Sequence, residues 1–376
     1  MVKYVKINLM KDLNKHNLKK RVVVGMSGGV DSSVAAALLK EQGYDVIGIF
    51  MKLWAEKVDR TDLVRENICC SVEASIAARA VCEKLEIPFY VVNFEKEFKK
   101  SVVDYYINEY ESGRTPNPCV ICNRDIKSEL LLKKADELNA DFLATGHYAR
   151  SIFKNKHYHL YAGIDDHKDQ TYFLWTITAE KIKKLLFPVG DYKKAEIREL
   201  AVKFGLPTAS RKESQGICFI PDRDVCSFMR RYAQNLTEPG PIIDNSGKDL
   251  GQHFGLINYT VGQRERLGLG GPKAYYAIRL NSQQNTLVVG DESELYQSEL
   301  MASSLNWINP IFSDKKKEIT VEARIRYGHV LDKCSIKMID ADKVKVNFKT
   351  PQRAITPGQS IVFYKNNEVL GGGVIE

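Results

Sequence analysis

Two cysteines three residues apart (Cys119 and Cys122), a third at Cys218, and a glycine–serine stretch at 27–33 hold the residue types able to do chemistry. In Thr115-Pro116-Asn117-Pro118 the two prolines fix an extended turn, and the pattern beyond it predicts a helix over 124–138. Cys122 then falls just before a helix N-terminus, where the dipole and the nearby Arg124 and Lys127 favour the reactive thiolate. The C-x-x-C spacing also reads as half a zinc site, but a structural zinc needs four ligands and no second such pair exists; Cys69 and Cys70 are adjacent. As a dithiol redox pair, it lacks the thioredoxin-like turn. Cys218 lies in the apolar run Gly216-Ile217-Cys218-Phe219-Ile220 and by itself reads as a core cysteine. The preceding glycine and the basic pair Arg211-Lys212 open the alternative of a loop thiol.

The stretch Ser27-Gly28-Gly29-Val30-Asp31-Ser32-Ser33 follows the apolar run Val22–Val24 and precedes a helical pattern. Strand, glycine turn and helix start make an anion site, because unpaired N–H groups and the positive end of the dipole point at whatever sits on the turn. The serines add hydroxyls, and Asp31 could hold a metal ion or cap the helix. No lysine is present, so this is not the G-x-x-x-x-G-K-[ST] loop, nor is it G-x-G-x-x-G. Serine and aspartate are also ordinary helix caps, but two adjacent glycines directly after an apolar strand favour the phosphate reading. Together with the thiols, the loop suggests activation by ATP followed by sulfur chemistry.

These residues need elements to position them. Strands are predicted at Val22–Val24, Val46–Met51, Pro88–Phe94 and Phe142–Thr145, with helices between them at Ser33–Glu41, Val72–Leu85, Glu95–Tyr110 and 124–138. Such alternation predicts an α/β fold with a doubly wound parallel sheet, whose ligands sit beyond the carboxyl ends of the strands. That singles out 25–31, 52–54 and Gly146-His147-Tyr148, with Met51 beside a bound base. Residues 164–205 read as mainly helical, with 168–170 opening one helix and Ala195–Phe204 forming another. After a helix at 223–233 and the passage Glu238-Pro239-Gly240-Pro241, short alternating runs at Tyr275–Leu280, Thr286–Val289, Glu318–Tyr327, Val344–Phe348 and Ser360–Tyr364 predict small β-barrels. The expected domains are a basic extension (1–20), the α/β domain (21–221), a smaller β-rich central domain (222–298) and a C-terminal β-barrel domain (299–376).

The 376-residue chain is long enough for two or three domains, and its 44% apolar and 27% charged residues are those of a globular protein. No apolar run approaches a membrane span. The first 21 residues are basic without a signal or transit pattern, so a cytoplasmic location is expected. A net charge of +8 is modest; the clusters Arg211-Lys212, Arg223, Arg230-Arg231, Arg264 with Arg266, and Lys315–Lys317 are solvated faces singly, and together suit a polyanionic partner. The eight cysteines are not a disulfide framework in such a chain.

The chain resembles the bacterial tRNA-specific 2-thiouridylases of the PP-loop ATP pyrophosphatase superfamily. The resemblance is carried by GMSGGVDSS (25–33), GRTPNPCVICNRDIK (113–127), ATGHYAR (144–150), KDQTYFLW (168–175), GICFI (216–220), GQHFGLINYTVGQRERLGLGG (251–271) and TPGQS (356–360). SGGVDSS marks only the superfamily; the passages around Cys122 and Cys218 mark the thiouridylases. The resemblance implies ATP bound by Gly25, Met26, Ser27, Gly28, Gly29, Val30, Asp31 and Ser32, with Met51 and Gly146 near the adenosine and Mg²⁺ at the phosphates, held by Asp31. It implies adenylation of the C2 oxygen of the wobble uridine in tRNAs of the Lys, Glu and Gln type, then sulfur delivery from a Cys218 persulfide. Cys122 acts as nucleophile, with a transient Cys122–Cys218 disulfide as one outcome. Asn117, Pro118 and Cys119 would touch the target base; His147, Lys168, Asp169, Gln170, Arg326, Tyr327 and Gln359 would touch the anticodon stem-loop. The implied sulfur source is an upstream persulfide relay protein or cysteine desulfurase.

Cys119 stands where many family members carry an acid, which leaves Asp125 or a water to handle protons. It also places three thiols at one expected site, and a [4Fe–4S] cluster binding exogenous sulfide is the alternative mechanism. Rival functions are a PP-loop enzyme adenylating a small-molecule acceptor, which needs neither Cys122 nor Cys218, and a non-enzymatic RNA-binding paralogue.

Overall fold

The computed structural model describes residues 19–376 apart from 58–63, 66, 68, 69, 214, 215, 221, 223, 271, 272 and 312–316. The basic extension expected over 1–20, except Lys19 and Lys20, lies outside the described residues, as do Cys69 and Arg223. Five parallel strands form the first sheet: β1 (Arg21–Met26), β2 (Asp45–Lys52), β3 (Phe89–Asn93), β4 (Phe142–Ala144) and β7 (Leu185–Leu186), in the order β3-β2-β1-β4-β7. Residues 22–24 of β1 are buried, because both faces are covered: Val23 packs into one core while Val22 and Val24 pack into the other. Helices α1 (Val30–Glu41) and α2 (Val72–Lys84) line the second core. Helix α3 (95–111) and helix α4 (118–137) line the first. Both α3 and α4 pass through π-helical stretches, at Lys99–Val103 and Cys122–Leu131.

Two expectations need correction here. Helix α4 begins at Pro118, six residues earlier than expected, because proline fits the first helical position, where no N–H is needed. Residues 164–205 are not mainly helical: the helical pieces are a 3₁₀ turn at Thr171–Phe173, the turn Ala179–Ile182 and α5 (Lys194–Lys203). The Asp169 carboxylate takes the Thr171 N–H and hydroxyl, and such local bonds compete with the helical ladder. The hairpin β5 (Ala149–Lys154) and β6 (His157–Ala162) leaves the α/β domain and joins the C-terminal sheet.

Helix α6 (Val225–Tyr232) is capped by Asp224, which accepts from Ser227 N. A four-stranded sheet follows, from β8 (Gly240–Ile243), β9 (Asp249–His253), β10 (Tyr276–Asn281) and β11 (Thr286–Gly290). The last part is a closed six-stranded barrel: β12 (Tyr296–Trp307), β13 (Ile319–Arg324), β14 (Asp332–Met338), β15 (Val344–Arg353), β16 (Ser360–Lys365) and β17 (Glu368–Ile375), closed by β12 pairing with both β15 and β17. Closure leaves no open edge in this barrel. Among the described residues no helix is long and apolar enough to cross a membrane.

Candidate active site

In the sheet order, β1 sits between β2, which precedes it on one side, and β4, which starts the other half. Open α/β sheets bind ligands in a crevice at the point where strand order reverses, which here is between β1 and β4. The loop after β1 faces Gly146, after β4, so closely that a Cβ on Gly146 would lie 2.7 Å from Ser32 N. Gly28 takes φ +70, and a Cβ there would lie 2.3 Å from the Ala74 carbonyl oxygen of α2. Both glycines are therefore required by close backbone approach. Within the loop, Ser32 Oγ accepts from Ser27 N at 3.2 Å, and both Ser32 and Ser33 hydroxyls donate to Gly29 O. Gly29 provides no side-chain cap for α1, so the first turn of a twelve-residue helix points its donors at the crevice. Gly25 lies within β1 and Met51 near the end of β2, half-buried, both at the ligand end of the sheet.

A lysine from a later helix meets the loop. Lys194, at the start of α5, donates to both Asp31 oxygens at 2.7 and 2.8 Å, and Tyr148 OH donates to Asp31 Oδ1 at 2.8 Å. Burial and the Asp31 charge push the Tyr148 phenol up, so it stays a donor. Lys194 also lies 3.1 Å from Glu213, whose other oxygen takes Lys168 at 2.8 Å. Hydrogen bonds from Lys168 and then Lys194 hold the Glu213 carboxyl below its ordinary range. Arg211 Nη1 donates to Gly28 O at 3.2 Å. The segment leading to Cys218 is thus fastened to the loop at two points. Neither Lys194 nor Glu213 stood out in the sequence; a lysine at a helix start carries no signal until its partners are known.

Helix α4 presents the other thiols. Cys119 lies in its first turn and is exposed, whereas Cys122 is half-buried one turn further on. The expectation that Cys122 sits at the helix N-terminus is therefore corrected, since dipole effects fade beyond the first turn. Arg124 is engaged by Asp125 at 2.6 and 3.0 Å, so neither is an independent charge. Lys127 reaches His147 Nε2 at 3.3 Å, and His147 Nδ1 meets Thr145 Oγ1 at 2.8 Å. An ammonium only donates, which makes Nε2 the acceptor and Nδ1–H the donor. Burial, then the Lys127 charge, hold the His147 pKa well below 6.5. Cys218 and Cys122 pack against the same core, and the buried Asn67 donates to Cys218 Sγ at 3.6 Å. By contrast, burial pushes the Cys82 and Cys334 thiols up to about 12, as befits inert core cysteines.

Among the described residues no three Cys, His, Asp or Glu side chains converge as a metal-holding group. Among the described residues Cys119, Cys122 and Cys218 are therefore not gathered as one such group.

The expected RNA contacts divide. Lys168 and Tyr327 reach the surface, Tyr327 stacking at a tilt on Phe173 with centroids 4.6 Å apart. Asp169 does not: it is 2% exposed and bonds Arg324 of β13 at 2.9 Å, so it tethers the barrel rather than facing a ligand. Arg326 donates to Thr356 Oγ1 at 2.6 Å and to the Ala354 carbonyl, Gln170 accepts from Tyr148 N at 3.0 Å, and Gln359 donates to Thr115 O at 3.0 Å. Gln359 thereby holds the barrel against the turn carrying buried Asn117 and Pro118.

Three family models match the chain: a tRNA methyl transferase HUP domain (residues 20–222), a tRNA methyl transferase PRC-barrel domain (227–291) and an aminomethyltransferase β-barrel domain (297–375). The tRNA-specific 2-thiouridylase MnmA of Carboxydothermus hydrogenoformans is 47% identical over 362 residues, covering 95% of this chain and 98% of that one. MnmA 2 of Clostridium tetani is 48% identical over 359 residues, covering 96% and 99%. With near-complete coverage in both directions and the site residues described, the chain belongs to the tRNA-specific 2-thiouridylase family of tRNA-uridine 2-sulfurtransferases.

Proposed function

We propose that the protein uses ATP to replace the C2 oxygen of a tRNA wobble uridine, in tRNAs of the Lys, Glu and Gln type, with sulfur. The observation that carries this reading is the fastening of the Cys218 segment to the glycine loop through Arg211 and Glu213: a sulfur carrier is tied to a phosphate crevice. ATP lies with its phosphates on 25–32 and its adenosine toward Met51 and Gly146. Asp31 would hold a Mg²⁺ ion jointly with the phosphates, as suits an ion that keeps several waters and takes few protein ligands; the ion supplies charge neutralisation. The uridine O2 attacks the α-phosphorus, the bond to the bridging oxygen breaks, and pyrophosphate leaves. The N3 proton passes to solvent. A carbonyl oxygen, otherwise a poor leaving group, has become AMP.

The terminal sulfur of a Cys218 persulfide then attacks C2 and AMP departs. Cys122 thiolate attacks Cys218 Sγ, the S–S bond breaks, 2-thiouridine leaves, and the Cys122–Cys218 disulfide that forms is reduced by an external thiol. Attack by Cys122 on the persulfide beforehand, releasing hydrosulfide, ends in the same disulfide. Sulfur reaches Cys218 from a persulfide-carrying protein. Asn117, Pro118 and Cys119 border the target base, which as an anticodon-loop base is cheap to extrude; Lys168 and Tyr327 meet the stem-loop. Nucleoside mass spectrometry of tRNA from cells lacking the protein tests the reading. Loss of 2-thiouridine, restored by the wild-type chain and not by Cys218→Ser or Cys122→Ser, is expected; unchanged 2-thiouridine, or full restoration by Cys218→Ser, overturns it.

A further inference from the structure

We propose that Lys194 is the cation that grips the outgoing pyrophosphate of ATP, and that Glu213 and Asp31 hold it ready when the crevice is empty. This rests on the reading of 25–32 as an ATP loop. That loop contains no basic residue, yet a polyphosphate needs neutralising beyond what helix N–H groups supply. Among the described residues Lys194 is a cation that reaches the carboxylate in its first turn, as Arg211 reaches the Gly28 carbonyl: its ammonium bonds both oxygens of Asp31 at 2.7 and 2.8 Å and Glu213 at 3.1 Å. It is well buried, with 12% of its side chain exposed, and lies over the Tyr148 ring at 5.7 Å.

Lys194 is the first residue of α5 and follows Lys193 at the cap. Cations at a helix N-terminus oppose the dipole, and Asp31 and Glu213 offset that cost for Lys194 while the crevice is empty. The two helix N-termini, of α1 and α5, thus meet at one lysine and one aspartate. Asp31, Glu213, Lys194 and Lys168 sum to zero formal charge without ligand. Incoming phosphates would draw Lys194 from the carboxylates, leaving Asp31 open to a metal ion. Glu213 would retain Lys168, on the surface where RNA is expected, and its segment leads to Cys218.

The contact is made to the β- and γ-phosphates, so ATP and AMP must respond differently. The experiment is equilibrium binding of ATP·Mg²⁺ and of AMP to the full-length protein without tRNA, for wild type, Lys194→Met and Lys194→Arg. Loss of one charge-assisted contact lowers affinity roughly 10–100-fold. The expected result is that fall for ATP with Lys194→Met, AMP affinity held within about twofold, and partial recovery with Lys194→Arg, which preserves charge and guards against misfolding. Equal losses for ATP and AMP in a folded Lys194→Met, or no loss for either, overturn the proposal. A wild-type protein that binds no ATP instead overturns the ATP-loop reading beneath it, and a wild type that binds ATP with Lys194→Met unaffected overturns the lysine's role alone.

Discussion

Substituting Gly28 by alanine tests whether close backbone packing shapes the crevice. Gly28 sits at φ +70, a conformation costing an L-residue about 1–2 kcal/mol. The added methyl would also meet the Ala74 carbonyl oxygen at 2.3 Å and its Cα at 3.0 Å, both backbone atoms of α2. Inserting a methyl into such a contact costs about 1–3 kcal/mol, giving ~2–5 kcal/mol together. Gly43 provides the control: it sits at φ +87, and among the described residues nothing lies within 4 Å of where a methyl would stand. Gly43→Ala therefore pays only the conformational cost, offset by ~0.4–1 kcal/mol from a stiffer unfolded chain. Urea unfolding should find Gly28→Ala less stable than Gly43→Ala by at least about 1 kcal/mol. If the loop shifts instead, part of the cost moves from stability to ATP affinity, which falls for Gly28→Ala and not for Gly43→Ala. Equal urea midpoints and equal ATP affinities for the two variants would refute the packing argument.

Three further outcomes follow from single contacts. His147 is held neutral in the fold, its pKa well below 6.5, by burial and Lys127; the unfolded chain alone takes up that proton as pH falls through 6.5, so this share of stability is complete above 6.5 and is lost below it. Between pH 7.5 and 5.5 wild type should lose up to about 1.4 kcal/mol more than His147→Gln, and parallel urea-stability curves would contradict this. Asp169→Asn leaves the Arg324 guanidinium in a buried pair without its counter-charge and should cost ~3 kcal/mol; a stability within about 0.5 kcal/mol of wild type would show that this pair does not fasten the barrel. Asn67→Ala removes a donor to the Cys218 sulfur, and alkylation of Cys218 by iodoacetamide at neutral pH should slow about tenfold; an unchanged rate would show that Asn67 does not stabilise the thiolate.

What could be read from the sequence was local. Val22–Val24, Val46–Met51 and Phe142–Thr145 are apolar runs bounded by turn residues, and each lies on a parallel strand. The glycine loop was legible because its strand–turn–helix pattern fits in a dozen residues. The misses share a cause in long-range packing. Glu368–Ile375, absent from the predicted strands, contains Gly371-Gly372-Gly373, yet it is a barrel strand. A methyl on Gly371 would fall 2.1 Å from Asn306 O and one on Gly372 2.8 Å from the Trp175 ring, so the glycines serve close approach between β17 and its neighbours. Tyr296–Trp307 hides for a related reason, its alternation broken by register shifts as it passes from β15 to β17. At the site the same logic decides which residues do what. Asp169 and Arg326 look like polar contacts awaiting an RNA until folding brings Arg324, 155 residues away, onto the one and Thr356 onto the other. Lys194 looks like a solvated helix end until it meets Asp31, 163 residues distant. A charged residue's role is fixed by what folding places within 3 Å of it, so the motif identifies the crevice while residues without a motif set its charge.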